Sequence, residues 1–211
     1  MLYVYPETID DDLINAFKNN KNLINYIDMP MQHCNAKVLK AMGRRGDRDS
    51  FRLLVNKLRS SIPGVALRST FICGFPGESD DDFDELCDFI EEIKLDYAGC
   101  FEYSCEEGTK AALMDDQVDA TKKYPRTNKL REIADEISLG KLGELVGESF
   151  DVLIEGIEEG RYFGRAYFQA PDIDGVVFIS EFDDKKINIG DYLNVKILDT
   201  EGYDLVGVIN D

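Results

Sequence analysis

The sequence has no tryptophan, one histidine and few basic side chains: 24 Lys and Arg stand against 42 Asp and Glu, a formal net charge of −18. Electrostatic binding of nucleic acid needs a basic surface, so this balance argues for a basic partner or for plain solubility. With a single histidine, His33, and no Cys-x-x-Cys, no metal site is expected from this chain's own residues. Its five cysteines, at 34, 73, 87, 100 and 105, are odd in number and lack the spacing of a disulfide framework. They read as free thiols of a reducing cytoplasm, with Cys87 on the apolar face of a helix. No apolar run is long enough to span a membrane. The opening Met-Leu-Tyr-Val-Tyr-Pro lacks the basic region and apolar core of a secretory leader and reads as a short strand, Leu2 to Tyr5.

What is present is an alternation of strands and helices. Leu13, Ile14 and Phe17 make a helical stripe, with Thr8 as its expected cap. A strand over Leu23 to Met29 leads into the polar cluster Gln32-His33-Cys34-Asn35. A helix follows, with Val38, Leu39 and Met42 on one face, closing on Gly43-Arg44-Arg45-Gly46. Phe51, Leu54, Val55 and Leu58 recur at helical spacing within a helix over roughly Asp47 to Ser60. Val65 to Cys73 is a strand that breaks at Gly74-Phe-Pro-Gly-Glu78. Ser79 then caps a helix whose first turn carries Asp80, Asp81 and Asp82, an arrangement the helix dipole favours. Tyr97 to Tyr103 is a further strand, before a loop in which Glu106 and Glu107 read as solvated carboxylates. Four strand–helix units between residue 1 and about 115 imply right-handed crossovers, a parallel sheet, and polar groups gathered at strand carboxyl ends, where α/β folds bind ligands. Gln117 to Leu145 reads as mostly helical, with Pro125 near a helix start.

After Gly147 the period changes from helical to alternating. Five short strands punctuated by glycines, in Phe150–Ile154, Tyr162–Phe168, Val176–Ile179, Tyr192–Leu198 and Tyr203–Ile209, predict a small antiparallel β-barrel. The expected division is therefore 1–145, an α/β unit with a trailing helix, and 146–211, the barrel. The barrel segment holds 15 acidic and 5 basic residues, a net of −10, against −8 for the much longer first part.

Several stretches together resemble one family, the radical S-adenosylmethionine methylthiotransferases. They are Asp28-Met-Pro-Met-Gln-His-Cys-Asn, Val38-Leu-Lys-Ala-Met-Gly-Arg-Arg-Gly, Thr70-Phe-Ile-Cys-Gly-Phe-Pro-Gly-Glu and Phe101-Glu-Tyr-Ser-Cys-Glu-Glu-Gly-Thr. Asp116-Gln-Val, Gly164-Arg-Ala-Tyr and Ala170-Pro-Asp-Ile-Asp-Gly complete the set. Gln-His-Cys-Asn and Ala-Pro-Asp-Ile-Asp-Gly resemble the branch that modifies an aspartate of protein twelve of the small ribosomal subunit. The resemblance implies an α/β fold: a partial parallel (β/α) barrel of the radical SAM type, followed by a small antiparallel five-stranded barrel, the OB-like TRAM domain. It implies a reaction in which an iron–sulfur cluster cleaves S-adenosylmethionine, the resulting radical takes a hydrogen from the substrate's β-carbon, and a methylthio group from a second cluster site fills the position.

Carried onto this sequence, the resemblance implies that Gln32 and Arg44 contact S-adenosylmethionine, Gln by hydrogen bonds to the nucleoside and Arg by a fork onto a carboxylate. Thr70 stands at the matching place on the next strand, and Gly74 and Pro76, with Gly77, would let backbone approach the cofactor. Glu78 reads either as a polar contact to the cofactor or as a helix-start carboxylate, and His33 as fixing the loop rather than facing substrate. No residue of this chain is assigned a catalytic or metal-ligating role.

The chain departs from the family in lacking the Cys-x-x-x-Cys-x-x-Cys that holds the radical cluster, and the three cysteines of a second cluster. It is thus expected to be a carboxyl-terminal fragment, inactive and cluster-free by itself, of a protein with two 4Fe-4S clusters. Met29, Met31, Cys105 and Lys110 also depart, mostly as volume-preserving swaps. The expected partner is a basic ribosomal protein met by the acidic barrel in the cytoplasm, with neither nucleic acid nor membrane. The alternatives are a transfer-RNA methylthiotransferase, for which the barrel offers only Arg161, Arg165, Lys185, Lys186 and Lys196 as cations, and a non-enzymatic acidic binding module.

Overall fold

A computed structural model describes residues 1–181 and 187–210, so that Lys185 and Lys186 lie outside the described residues. The chain divides into two compact units, Met1–Ile137 and Ser138–Asp211.

The first unit is built on three parallel strands in the order β1 (Tyr26–Asp28), β2 (Ala66–Cys73) and β3 (Tyr97–Glu102). Helices α1 (Asp11–Asn19), α2 (Ala36–Ala41), α3 (Arg48–Ser61) and α4 (Asp80–Ile93) lie between and around them, and α5 (Ala120–Gly143) follows. Leu2 to Tyr5 is not a regular strand. Val4 N–H donates to the Asp28 carbonyl (3.0 Å) and Asp28 N–H to that of Met1 (2.9 Å), so the segment runs beside β1. Tyr3, however, adopts φ +57° and Pro6 offers no N–H, and the ladder does not propagate. Three regular strands therefore stand where four units were expected.

The capping boxes are where the sequence places helix starts: Asp47 with Ser50 for α3, and Ser79 with Asp82 for α4. For α1 the cap is Asp10, whose carboxylate accepts from Leu13 N–H (2.9 Å); Thr8 instead closes a 3-10 turn over Pro6–Thr8. Pro125 sits inside α5 rather than at its start, and the missing N–H leaves the Thr121 carbonyl without its usual partner. The core gathers Ile27, Leu67, Phe71, Leu58, Leu86, Phe89 and Ile90, with Leu130 from α5; Ile133 and Ile137 pack against it.

The second unit contains five strands in a closed barrel of order β4-β5-β6-β8-β7: β4 (Ser149–Glu158), β5 (Arg161–Arg165), β6 (Val177–Glu181), β7 (Tyr192–Glu201) and β8 (Asp204–Ile209). It is a mixed barrel, not a wholly antiparallel one, because β6 and β8 pair in parallel. Val152, Ile154, Val177, Ile179, Val195, Ile197 and Leu205 point inward as alternation requires. Gly164 lies at a tight crossing of β4 and β5, where a Cβ would fall within contact of the Leu153 carbonyl and 2.9 Å from Val152 Cγ1.

Candidate cofactor-binding site

The site begins with an interruption in a strand. Pro30 cannot donate to a ladder, so β1 breaks after Asp28. The buried Ser69 hydroxyl fills the gap, donating to the Met29 carbonyl (3.0 Å) and accepting from Met31 N–H (3.0 Å). The chain rejoins the sheet at Gln32, which bridges Phe71 of β2: Gln32 N–H donates to Thr70 O, and Ile72 N–H to Gln32 O, each at 2.8 Å. Gln32 is held at φ +71°, a conformation costly for a residue with a side chain, and its Oε1 is buried with no hydrogen-bond partner.

Arg44 reaches the same place from the turn after α2. Its Nη1 donates to the Pro30 carbonyl (3.1 Å) and its guanidinium lies 4.9 Å from the Tyr5 ring centroid. Gln32 and Arg44, twelve residues apart in sequence, line one cavity of about 210 Å³ with Tyr3, Val4, Tyr5 and Pro30. The expectation that these two side chains share a site thus has a geometric counterpart. The wall made by Tyr3 and Tyr5 was missed; the only signal was aromatics at the carboxyl end of a presumed strand.

The other four expected residues do not line this cavity. Thr70 is the register neighbour of Gln32 and supplies its carbonyl to it. Gly74, Pro76 and Glu78 form a loop that closes on itself. Glu78 Oε2 accepts from Gly74 N–H (2.8 Å), and Glu78 Oε1 from Arg126 Nη1 (2.7 Å) on α5. Arg126 also pairs with Asp80, in the first turn of α4. Both oxygens of Glu78 are therefore engaged within the protein. Burial pushes its pKa up, against the opposing pull of the Gly74 N–H and Arg126.

His33 is fully buried beside this network. Its Nδ1 accepts from Asn35 N–H (2.9 Å), which places the proton on Nε2, 3.7 Å from Glu78 Oε2. It fixes the loop, as expected. Burial drives its pKa down to about 4, with Asp82 opposing and Arg126 assisting. A histidine depressed from 6.5 in the unfolded chain leaves stability intact above 6.5 and removes it as pH falls toward 4. Urea titrations from pH 7 to pH 4 should show a loss on the order of 3 kcal/mol attributable to His33, at about 1.4 kcal/mol per pK unit. The excess slope over this window should vanish in His33→Gln; an unchanged slope would show that His33 is not held neutral.

The donors present suit part of the cofactor that the resemblance implies. An orphaned carboxamide oxygen matches a nucleoside donor, and a guanidinium with one carbonyl partner matches a carboxylate. An iron–sulfur cluster is not matched. Among the described residues no three of His, Cys, Asp and Glu are grouped to hold a metal. Cys34, Cys73, Cys87 and Cys100 are buried, and burial pushes their thiols up, to about 11 for Cys87 and about 12 for Cys100.

Comparison with known proteins agrees with this reading of the two units. Residues 2–90 match the radical SAM superfamily and residues 146–209 match the TRAM domain. The fold also aligns with coproporphyrinogen III oxidase (HemN) from Escherichia coli, a radical SAM enzyme, at a TM-score of 0.54 and 19% identity over 64% of this chain and 31% of that one, a likeness of fold alone. The class that the chain is similar to is thus a radical SAM core followed by a TRAM barrel. Within it, the chain is 44% identical over 98% of its length to the ribosomal protein uS12 methylthiotransferase RimO of Caldanaerobacter subterraneus subsp. tengcongensis, covering 47% of that protein. It is 44% identical to RimO of Clostridium kluyveri over 100% of its length, and 41% identical to that of Clostridium botulinum over 99%. The sequence matches the carboxyl-terminal part of a RimO-type protein, and spans about half the length of these relatives. No described helix is long and apolar enough to cross a membrane.

Proposed function

We propose that this chain is the cofactor-holding and substrate-docking part of a cytoplasmic radical SAM methylthiotransferase that modifies the β-carbon of an aspartate in a small-subunit ribosomal protein, the uS12 named for its relatives. Residues 1–145 form the barrel part and 146–211 the TRAM domain. The two 4Fe-4S clusters of such an enzyme are held by cysteines that this sequence does not contain. The observation that carries the reading is that the strained Gln32, whose buried side-chain oxygen has no hydrogen-bond partner, lines one cavity with Arg44. S-adenosylmethionine supplies the radical chemistry when bound. This chain's part is to hold it: Gln32 accepts from the nucleoside, Arg44 forks onto the carboxylate, and the Tyr5 ring shields one face of the guanidinium.

The barrel supports docking of a basic protein rather than RNA. Arg161 pairs with Glu201 and Arg165 with Glu155, leaving Lys196 as the exposed barrel cation without a carboxylate partner among the described residues. Asp151, Glu158, Glu159, Asp172 and Asp199 are exposed. Complementary charge of this kind speeds encounter, and binding should weaken with salt.

The test is S-adenosylmethionine affinity of the cluster-loaded, full-length protein. Gln32→Ala and Arg44→Ala should each raise Kd by roughly 10- to 100-fold in calorimetry, the loss expected for one hydrogen bond involving a charged or buried polar group. Unchanged Kd in both would remove this cavity from cofactor binding.

A further inference from the structure

The cations of α5 are not alike. Lys122 pairs with Asp80, Arg126 with Glu78 and Asp80, and Lys129 with Asp84. Lys123 alone of these four has no carboxylate partner, in a chain where acids outnumber bases 42 to 24. It is nonetheless half-buried and fixed in place. Its stem crosses Gly74, so close that a Cβ there would lie 2.5 Å from Lys123 Cγ. Its Nζ donates to the Tyr103 carbonyl (3.2 Å) and lies 4.9 Å from the Tyr103 ring centroid. Tyr103 is itself fixed, by its N–H to Cys73 O (2.8 Å) and by its ring against Phe75 at 5.2 Å.

A carbonyl and a ring orient an ammonium; the Asp119 carboxylate one turn earlier acts on it through space but makes no ion-pair contact, so no carboxylate occupies its remaining donors. The place matters too. Gly74 follows β2 and Tyr103 follows β3, so the ammonium stands over the carboxyl ends of two parallel strands, the edge of the sheet on which Gln32 also stands. Ligands bind at that edge in α/β folds. Gly74 then has a second reason to lack a side chain: it makes room for the lysine.

We propose that Lys123 receives a reactant carboxylate, and that this is the side chain of the substrate aspartate; the assignment rests on the function proposed above. The residue would thus set specificity for aspartate over asparagine, by an ammonium–carboxylate pair made at a partly desolvated site.

The test uses cluster-loaded, full-length protein with its ribosomal protein substrate carrying either Asp or Asn at the modified position. Three quantities are read: KM for the Asp form, the inhibition constant of the Asn form, and S-adenosylmethionine Kd. Lys123→Gln should raise KM for the Asp form at least 10-fold, leave the Asn form's inhibition constant within 2-fold, and leave cofactor Kd within 2-fold. Lys123→Arg should restore most of the loss. A raised cofactor Kd with unchanged substrate KM would assign the carboxylate to the cofactor and overturn the substrate assignment. No change in either, with a lowered melting temperature, would make Lys123 a clamp between α5 and β3 and overturn the proposal entirely. A wild-type protein that binds its cofactor but no Asp substrate overturns this inference and the proposed substrate together, without touching the cavity at Gln32.

Discussion

Arg126→Met should cost the first unit about 3–5 kcal/mol in urea unfolding at pH 7, the loss typical when one partner of a buried ion pair is removed. Glu78 and Arg126 are both buried, and the methionine replaces the stem but not the charge. Glu78 would then keep only Gly74 N–H as a strong partner, in surroundings that already favour its protonated form. The sign with pH follows. A carboxyl whose folded-state pKa is raised contributes stability that is complete below its unfolded value of 4.5 and is lost as pH rises through the folded value. Removing Arg126 raises that folded value further, so the variant's deficit should shrink as pH falls, against the acid-side loss set by His33. Glu78→Gln combined with Arg126→Met should recover much of the deficit, because no charge is then left buried. A deficit below about 1 kcal/mol, or one that does not change with pH, would show that the pair is not what closes the Gly74–Glu78 loop.

Gly164→Ala should be among the most damaging single methyls in the second unit. The new Cβ would meet β4 backbone at Leu153 and the buried Val152 side chain, neither of which can rotate away. Overpacking against flexible side chains costs about 1–3 kcal/mol; against a paired strand of a closed barrel, ~4 kcal/mol or more is expected, enough to lose the barrel's cooperative melt. Gly140→Ala is the contrasting change, since that α5 position opens onto empty space; helix propensity predicts a gain of about 0.5–1 kcal/mol there. Equal melting temperatures for the two variants would mean that the β4–β5 crossing is not tight.

Much of this architecture was readable from periodicity. The stripes of α3 and α4 and the residues that cap them appear where the sequence puts them, because a capping box is a local device complete within four residues. The barrel strands were readable for the same reason, as alternation marks each strand by itself. Their pairing was not: parallel and antiparallel strands share a period of two, so nothing local distinguishes the β6–β8 seam from its neighbours. The α1 cap was misplaced because Thr8 and Asp10 are both competent caps two residues apart. Gln32 and Arg44, which line one cavity, come from one short stretch of sequence and could be paired by motif. Glu78 was not settled, because what engages it, Arg126, lies 48 residues further along the chain. Lys123 escaped notice for the same reason: its chemistry comes from Gly74 and Tyr103, and sequence distance hides both.

The barrel's strand order also bears on how it assembles. The β4–β5 and β7–β8 hairpins join neighbours in sequence and can form early at little loop-closure cost. The β5–β6 seam also joins consecutive strands, but two seams cannot form so early. Ser149 of β4 meets Lys196 of β7, and Val177 of β6 meets Leu205 of β8. β8, the latest of the five strands to leave the ribosome, is inserted between β6 and β7, so the ring cannot close before it arrives. During synthesis β6 and β7 each present an open edge for that interval, and closure around β8 is the slow, non-local event that ends the exposure.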